Sequence, residues 1–454
     1  MEQSLCHRIA LAYKEELSHI ITMTGPLLFS RIFNHLLPFV VTVFCGRLGN
    51  ETINVTTAAT GFGLAMACDT LVSQTFGGKN LLRVGVILQR GVLILLLFCL
   101  PCWALLMNAQ SVLLCLGQEP EVTRISQLYI TYYLPAVPAM FLHYLQVCYL
   151  QNQGITLPQV YTALLANIAN VGTNYVLLYW LELGVIGSAA SNSLSQIYIC
   201  VFLFVYIRWK KLYAATWDGW SVESLQEWGS FMKLAIPTTL MKCFEWWVYE
   251  IGGFLAGILS EDELAAQHAV MMFPLGVQAA ACARVGNALG AGDTSRAILA
   301  CKISLTLAAS IALIEGVILG SAKNVIGYIF TSDKKIVELV ADLMNVYCFL
   351  QFFDGLVCVC IGIFVGTGKQ KIPAVANLIG YYGIGLSLGA VKRANRNNDV
   401  DQPLNLSDVH TECTDRQRTG AAGPLSTSQL IIRRGITVLS AAGLFALGET
   451  QTHN

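Results

Sequence analysis

Apolar runs of bilayer-crossing length follow one another through most of this chain, separated by short polar connections. Taking runs of about 20 apolar residues as spans, we place them at 20–45, 52–76, 84–107, 125–150, 158–180, 183–207, 231–259, 264–290, 297–320, 338–366 and 372–390. The pattern therefore predicts eleven transmembrane helices. The second and eighth are the least apolar, being rich in Gly, Ala and Thr. Residues 1–17 are polar and the first apolar run already has spanning length, so no cleavable signal peptide is expected. The segments read as a polar N-terminus (1–19), an N-terminal helical lobe (20–208), a connecting loop (209–230) and a C-terminal helical lobe (231–390). A polar tail (391–428) and a short apolar segment (429–454) follow.

The pattern also repeats. Thr24-Gly25-Pro26 opens the first span as Ala235-Ile236-Pro237 opens the seventh, and Cys45-Gly46-Arg47-Leu48 corresponds to Ala256-Gly257-Ile258-Leu259. Val72–Asn80 answers Val285–Asp293, and Gln153-Gly154 with Pro158 matches Thr367-Gly368 with Pro373. Six spans separate the copies, so the repeats are parallel, related by an axis along the membrane normal. The fold class predicted is an all-α polytopic membrane protein of two parallel-repeat six-helix bundles, the second incomplete. That is an alternating-access architecture, and a duplicated scaffold with no transport role is the other reading of the same repeat.

Composition fits this picture. Of 454 residues, 55% are hydrophobic and 12% charged, against about 25% charged in soluble domains, and the mean hydropathy is positive. Basic and acidic residues balance at 28 each, which suggests no nucleic-acid partner. With the N-terminus inside, the cytoplasmic side takes Arg8, Lys14, Lys79, Arg83, Arg208, Lys210, Lys211, Lys233, Arg296, Lys302, Lys369 and Lys371. The outer side takes Arg47, Arg124, Lys323, Lys334 and Lys335, and an acidic loop at 261–263. Basic residues prefer the cytoplasm, so a cytoplasmic N-terminus is expected. The cysteines, Cys45, Cys102, Cys148, Cys200, Cys358 and Cys360 among them, lie in apolar spans and read as small buried hydrophobes.

Chemistry concentrates at Lys242–Gly257, where Glu245, Trp246, Trp247, Tyr249 and Glu250 fall inside the seventh span. An ionised carboxylate at mid-membrane costs several kcal/mol, so Glu245 needs a cation, a proton or a water-filled cavity. On a helix Glu245 shares a face with Tyr249, and Trp246 with Glu250. Carboxylates beside aromatic faces suit a desolvated organic cation. A buried neutral glutamate hydrogen-bonded to a neighbouring helix suits the same residues, and the stretch alone does not separate the two. At the offset that aligns the prolines, Glu245 falls on Asn34 and Lys242 on Arg31. Asp354, in the tenth span, falls close to Met140 of the first copy. The membrane-embedded acids are thus expected in the second half, where Glu245 and Asp354 could couple for proton exchange. Lys242 stands three residues before Glu245 and could pair with it on one face. The pairs Ser73-Gln74 and Gly286-Asn287 suit close packing at helix ends. His35, His143 and His268 lie singly within spans and read as structural. No nucleophile–base pair, phosphate loop or metal-ligand spacing stands out, so no enzyme, cofactor or metal is expected.

Several blocks resemble the vertebrate multidrug and toxin extrusion (MATE) transporters: Phe44–Gly49, Ala67–Thr75, Val84–Arg90, Pro101–Ala104, Tyr149–Gly154, Glu245–Trp247, Arg284–Ala291 and Gly366–Gln370. The likeness runs from about residue 20 to 390. It implies two six-helix lobes around a central cavity, and a plasma-membrane antiporter that expels organic cations, drugs and metabolites in exchange for protons. The family's functional acids carry over onto Glu245 and Glu250, and Asp354 stands where the family generally has Glu. The partners implied are organic cations, protons and membrane lipid; oligomeric state is left open.

The chain also departs from the family. The stretches 49–69 and 259–284 are roughly ten residues shorter than the family's, nearly three helical turns in each lobe. The portion of the eighth helix carrying a further family glutamate is missing. Arg31 and Lys242 are cations where the family prefers neutral residues, and the twelfth span expected from the repeat is absent. Gln429–Gly435 resembles the start of the family's extra C-terminal helix, but Ile436–Leu447 is short for a span. The tail is basic, whereas eleven spans would put it outside, where the Asn405-Leu406-Ser407 sequon could be glycosylated. Two other readings stay open on sequence alone: a transport-deficient shortened isoform with a regulatory role, and a lipid-linked substrate flippase on the same scaffold.

Overall fold

The computed structural model describes residues 2–45, 51–115, 120–256, 261–330 and 334–386. Within these, the side chains of 2–10, 38–45, 51–55, 122, 249–256, 261–272, 324–330, 334–340, 342–343, 346–347 and 384–386 are not described. The expected polar tail and short C-terminal segment, including Asn405 and Gln429–Gly435, lie outside the described residues.

The described residues form helices α1 (Glu2–Cys45), α2 (Glu51–Gly77), α3 (Leu81–Met107), α4 (Ala109–Cys115), α5 (Pro120–Tyr133), α6 (Ala136–Gln151) and α7 (Leu157–Tyr175). They continue with α8 (Gly184–Trp209), α9 (Trp228–Ala256), α10 (Glu261–Gly290), α11 (Thr294–Phe330), α12 (Lys334–Thr367) and α13 (Lys371–Asn377). Within the described residues the apolar runs are largely helical, which in lipid is the arrangement that satisfies the backbone locally. Among the described residues, Leu81–Met107, Gly184–Trp209, Thr294–Lys323 and Cys348–Thr367 are long and apolar enough to cross a membrane by composition alone. The weak second and eighth spans are helices of 27 and 30 residues. At 1.5 Å per residue these are about 40 and 45 Å long, enough to cross the hydrocarbon core.

Three details differ from the pattern. The fourth span is two helices, α5 and α6, with a turn at Leu134-Pro135. Proline lacks the amide that continues a helix, and Pro138 cannot donate to the Leu134 carbonyl. Trp103 Nε1–H takes that carbonyl instead, at 2.9 Å. The ends of the fifth and eleventh spans relax into π-helical turns, Val176–Trp180 and Leu378–Leu386. Residues 261–263, expected as an outer loop, form the first turn of α10.

The duplication is visible in backbone geometry. After α2 the chain turns at Lys79 (φ 60°), and after α10 it turns at the matching Gly292 (φ 75°). Asn80 Oδ1 then accepts the Arg83 amide at 3.2 Å, and Asp293 Oδ1 accepts the Arg296 amide at 2.9 Å. Gly154 and Gly368, aligned by the repeat, share φ 77°, a left-handed value that disfavours side chains with a Cβ.

The chain divides into two compact units. The first holds Met1–Cys243, Met272–Ala308 and Cys358–Lys371; the second holds Phe244–Met271, Ala309–Val357 and Ile372–Asn454. The first unit has a continuous core from α2, α3, α6, α8 and α9, including Leu64, Ile94, Leu95, Phe141, Tyr149, Leu203 and Phe231. Lipid tails are as apolar as these side chains, so close packing between small residues matters more than water exclusion. The Phe141 ring accordingly occupies the space a Cβ on Gly61 would need. Cys102, Cys148, Cys200 and Cys358 are buried within spans and Cys360 is half-buried, while the side chain of Cys45 lies outside those described.

Candidate functional site

Glu245 and its neighbours Trp246 and Trp247 stand half-buried on α9, and Asp354 is buried on α12. All four belong to the second unit. Tyr249 and Glu250 lie on α9 too, but their side chains are outside those described. Beside Glu245, the Phe244 ring meets Tyr382 edge-on at 5.5 Å, and the Tyr382 hydroxyl donates to the Phe244 carbonyl at 3.4 Å. The π-helical turn at Leu378–Leu386 thus presses an aromatic side chain onto the acid-bearing helix. On α12, Phe349, Phe352 and Phe353 form edge contacts of 5.0 and 5.4 Å immediately before Asp354. Both acids therefore sit on aromatic-rich stretches, the setting in which a desolvated cation is attracted to ring faces. Tyr382 and the three phenylalanines were not singled out from the sequence, because only the three-dimensional packing brings their rings into contact.

Two further embedded acids went unrecognised in the sequence. Glu315, on α11 of the second unit, has both carboxylate oxygens buried without a hydrogen-bond partner among the described residues. Asp69, on α2, is 6% exposed and corrects the expectation that such acids are confined to the second half. Asp69 Oδ1 accepts from Gln151 Nε2 at 2.7 Å and from Asn152 Nδ2 at 2.6 Å, so amide donors hold it between α2 and the end of α6. The sequence signal for both was the one that marked Glu245, a lone acid in an apolar run. Removing a buried acceptor strands its donors at about 1–3 kcal/mol each. Asp69→Ala is therefore expected to lower stability by about 3 kcal/mol and Asp69→Asn by less, measured as unfolding midpoints in detergent.

Asn34, the repeat counterpart of Glu245, is half-buried on α1 in the first unit, its Oδ1 buried without a hydrogen-bond partner among the described residues. Its neighbour Arg31 and the matching Lys242 both meet one ring: Arg31 lies 5.4 Å and Lys242 Nζ 5.7 Å from the centre of Phe62. Lys242 is 3% exposed, so the aromatic face provides part of the environment that its charge requires.

At the basic end of the first unit, the ends of the two copies lock together. A Cβ on Gly77 would overlap the Asn287 backbone, and one on Gly290 would overlap the Gln74 backbone. These two contacts are counterparts under the repeat, so α2 and α10 cross reciprocally through glycines. Gln74 Nε2 donates to the Gly366 carbonyl at 2.9 Å, and Asn287 Nδ2 to the Asn152 carbonyl at 3.3 Å. Gly286 packs on Ser73, in keeping with the packing role read for Ser73-Gln74 and Gly286-Asn287.

An acid braces each copy. Glu16, 3% exposed, accepts from Arg284 Nε at 2.7 Å, Arg284 Nη2 at 2.6 Å and Arg296 Nε at 3.0 Å. The spacing from Pro26 to Pro237 also carries Glu16 onto Glu227, which stands 3.4 Å from both Arg83 and Arg90. Each acid precedes one copy and contacts arginines of the other. Burial alone would raise the Glu16 carboxyl, but the Arg284 and Arg296 guanidiniums hold it below its ordinary value of 4.5. A carboxylate with a lowered folded-state value stabilises above its unfolded value and loses that contribution as pH falls through the folded one. Glu16→Gln is therefore expected to cost about 3 kcal/mol near neutral pH. The gap in unfolding midpoint between Glu16→Gln and the parent should close as pH drops below 4.5.

The MatE family model matches twice, over residues 26–176 and 237–391, the two copies seen above. The multidrug and toxin extrusion protein 1 of Danio rerio is 52% identical over 394 residues, covering 83% of this chain and 67% of that protein. Its Homo sapiens counterpart is 48% identical over 403 residues, covering 85% and 70%. The crystal structure of the eukaryotic MATE transporter AtDTX14 superposes with a TM-score of 0.80 at 24% identity, covering 96% of each chain. At that identity the likeness establishes the fold, an all-α two-repeat MATE architecture. The chain is a multi-pass membrane protein and belongs to the MATE family, the multidrug and toxin extrusion transporters.

Proposed function

We propose that this chain is a proton-coupled antiporter that exports organic cations, drugs and toxins across the plasma membrane, its N-terminus in the cytoplasm. The observation that carries the reading is the pair of acids Glu245 and Asp354 on membrane-crossing helices of one unit, each flanked by aromatic side chains. The names of the vertebrate relatives support it.

The cycle follows from charge balance. A carboxyl group in hydrocarbon is tolerated either protonated or beside a cation. Glu245 or Asp354 releases its proton when the cation arrives, and the aromatic surface of Trp246, Trp247 and Tyr249 takes part of the cation's lost hydration. Protonation from the outer side neutralises the acid and releases the cation. Glu250 carries a second exchangeable proton, and Asn34 contributes a polar group from the first copy. The crossing of α2 and α10 is the gate at the cytoplasmic end, which opens when the cycle returns.

Proton exchange has a direct signature. Adding tetraethylammonium to the purified chain in weakly buffered detergent should release protons, with the release reduced in Asp354→Asn. Cation binding without proton release would exclude the coupling.

A further inference from the structure

The two acid–arginine braces are related by the repeat but are not equally complete. Around Glu16, one carboxylate 3% exposed receives three short bonds. Around Glu227, the carboxylate is half-exposed and reaches Arg83 and Arg90 only at 3.4 Å each. Arg90 is nevertheless buried, its side chain 6% exposed. Its Nη2 donates to the Glu223 carbonyl at 3.1 Å, while its Nε is buried without a hydrogen-bond partner among the described residues. A cavity of about 390 Å³ opens at this place, walled by the end of α2, the start of α3 and the start of α9. Arg83, Arg90, Thr75, Asn80 and Ser230 line it, with Glu227 as its one carboxylate among the described lining residues.

A buried guanidinium needs an anion, and one half-exposed carboxylate shared between two guanidiniums at 3.4 Å leaves the arginine pair with a net positive charge and the buried Arg90 Nε without an acceptor among the described residues. Paired arginines with hydroxyl and amide groups match the tetrahedral oxygens of a phosphate, which takes charge-assisted bonds from two guanidinium forks. The connection that carries Lys210 and Lys211 packs on the same helix α3, where Gly85 meets the Thr216 carbonyl and Gln89 Nε2 donates to the Gly219 carbonyl at 2.6 Å. Basic pockets between transmembrane helices are suited to phosphorylated headgroups.

We propose that this cavity is a phosphate-binding site: Arg83 and Arg90 hold a phosphate monoester or diester group, and Glu227 swings out to admit it. The anion would complete the second brace as Glu16 completes the first. Lipid headgroups and free phosphate share this chemistry, and the test separates them.

The full chain is reconstituted in nanodiscs of phosphatidylcholine alone, or with a minor share of phosphatidylinositol bisphosphate. The unfolding midpoint is followed in each, and inorganic phosphate is titrated into the first. Stabilisation by the phosphoinositide alone assigns a lipid headgroup; stabilisation by inorganic phosphate assigns a soluble anion. In either arm Arg83→Gln, at an exposed position, should weaken binding roughly tenfold, as loss of a charge-assisted pair would. Glu227→Gln should strengthen it several-fold by removing the competing carboxylate. Absence of stabilisation in both arms, or equal binding by the parent, Arg83→Gln and Glu227→Gln, overturns the site.

Discussion

Glu245→Gln will reduce proton-driven uptake of tetraethylammonium into proteoliposomes to background, at parent levels of protein and with a parent-like unfolding midpoint. Glutamine keeps the shape of glutamate and its hydrogen-bonding capacity but can neither carry a charge nor exchange a proton. A cation at mid-bilayer without its counter-charge costs several kcal/mol. Loss of about 3 kcal/mol is more than a hundredfold in binding, so residual uptake should be below detection. The half-buried setting of Glu245 permits the substitution without a cavity. Parent-like uptake by this variant would move the proton to Asp354 or to Glu315, whose carboxylate is buried on α11 of the same unit.

Gly290→Val will disrupt the closed basic end. Even a Cβ at Gly290 overlaps the Gln74 backbone, and the branched side chain adds two methyl groups to that overlap. Backbone cannot give as a flexible side chain can, so α2 and α10 must separate, breaking the Gln74–Gly366 and Asn287–Asn152 bonds. Overpacking of this kind costs about 1–3 kcal/mol, which shifts the balance toward the parted arrangement by roughly five- to a hundredfold. Hydrogen exchange is expected to accelerate at 70–78 and 284–292 while the core around Phe141 and Leu203 stays protected. Gly77→Val should do the same through Asn287. Unchanged protection in both variants would mean that the crossing does not hold this end closed.

Which features could be read from the chain follows from how local their signals are. The spans and the duplication were legible because apolar runs and short motifs need no partner to be recognised: Val72–Asn80 and Val285–Asp293 fold into the same turn, left-handed at Lys79 and Gly292. Glu245 and Asp354 were legible as acids in apolar runs. Asp69 carries the same signal but lies in the weakest span, where Thr and Gly hide the contrast. The break at Leu134-Pro135 was hidden because a proline within an apolar run does not lower its hydropathy enough to divide it. The braces were hidden for a different reason. Glu16 and Glu227 precede the runs being aligned, and each finds its arginines in the other copy, a pairing that no local pattern encodes.

The central claim is that a proton gradient drives this chain to move organic cations. Its most direct test is the purified chain in proteoliposomes, with tetraethylammonium outside and the lumen acidified. The account predicts accumulation of the cation above its external concentration, abolished by a protonophore and absent when the lumen is alkaline. Uptake that only equilibrates the cation, at the same rate with and without the gradient, would contradict it.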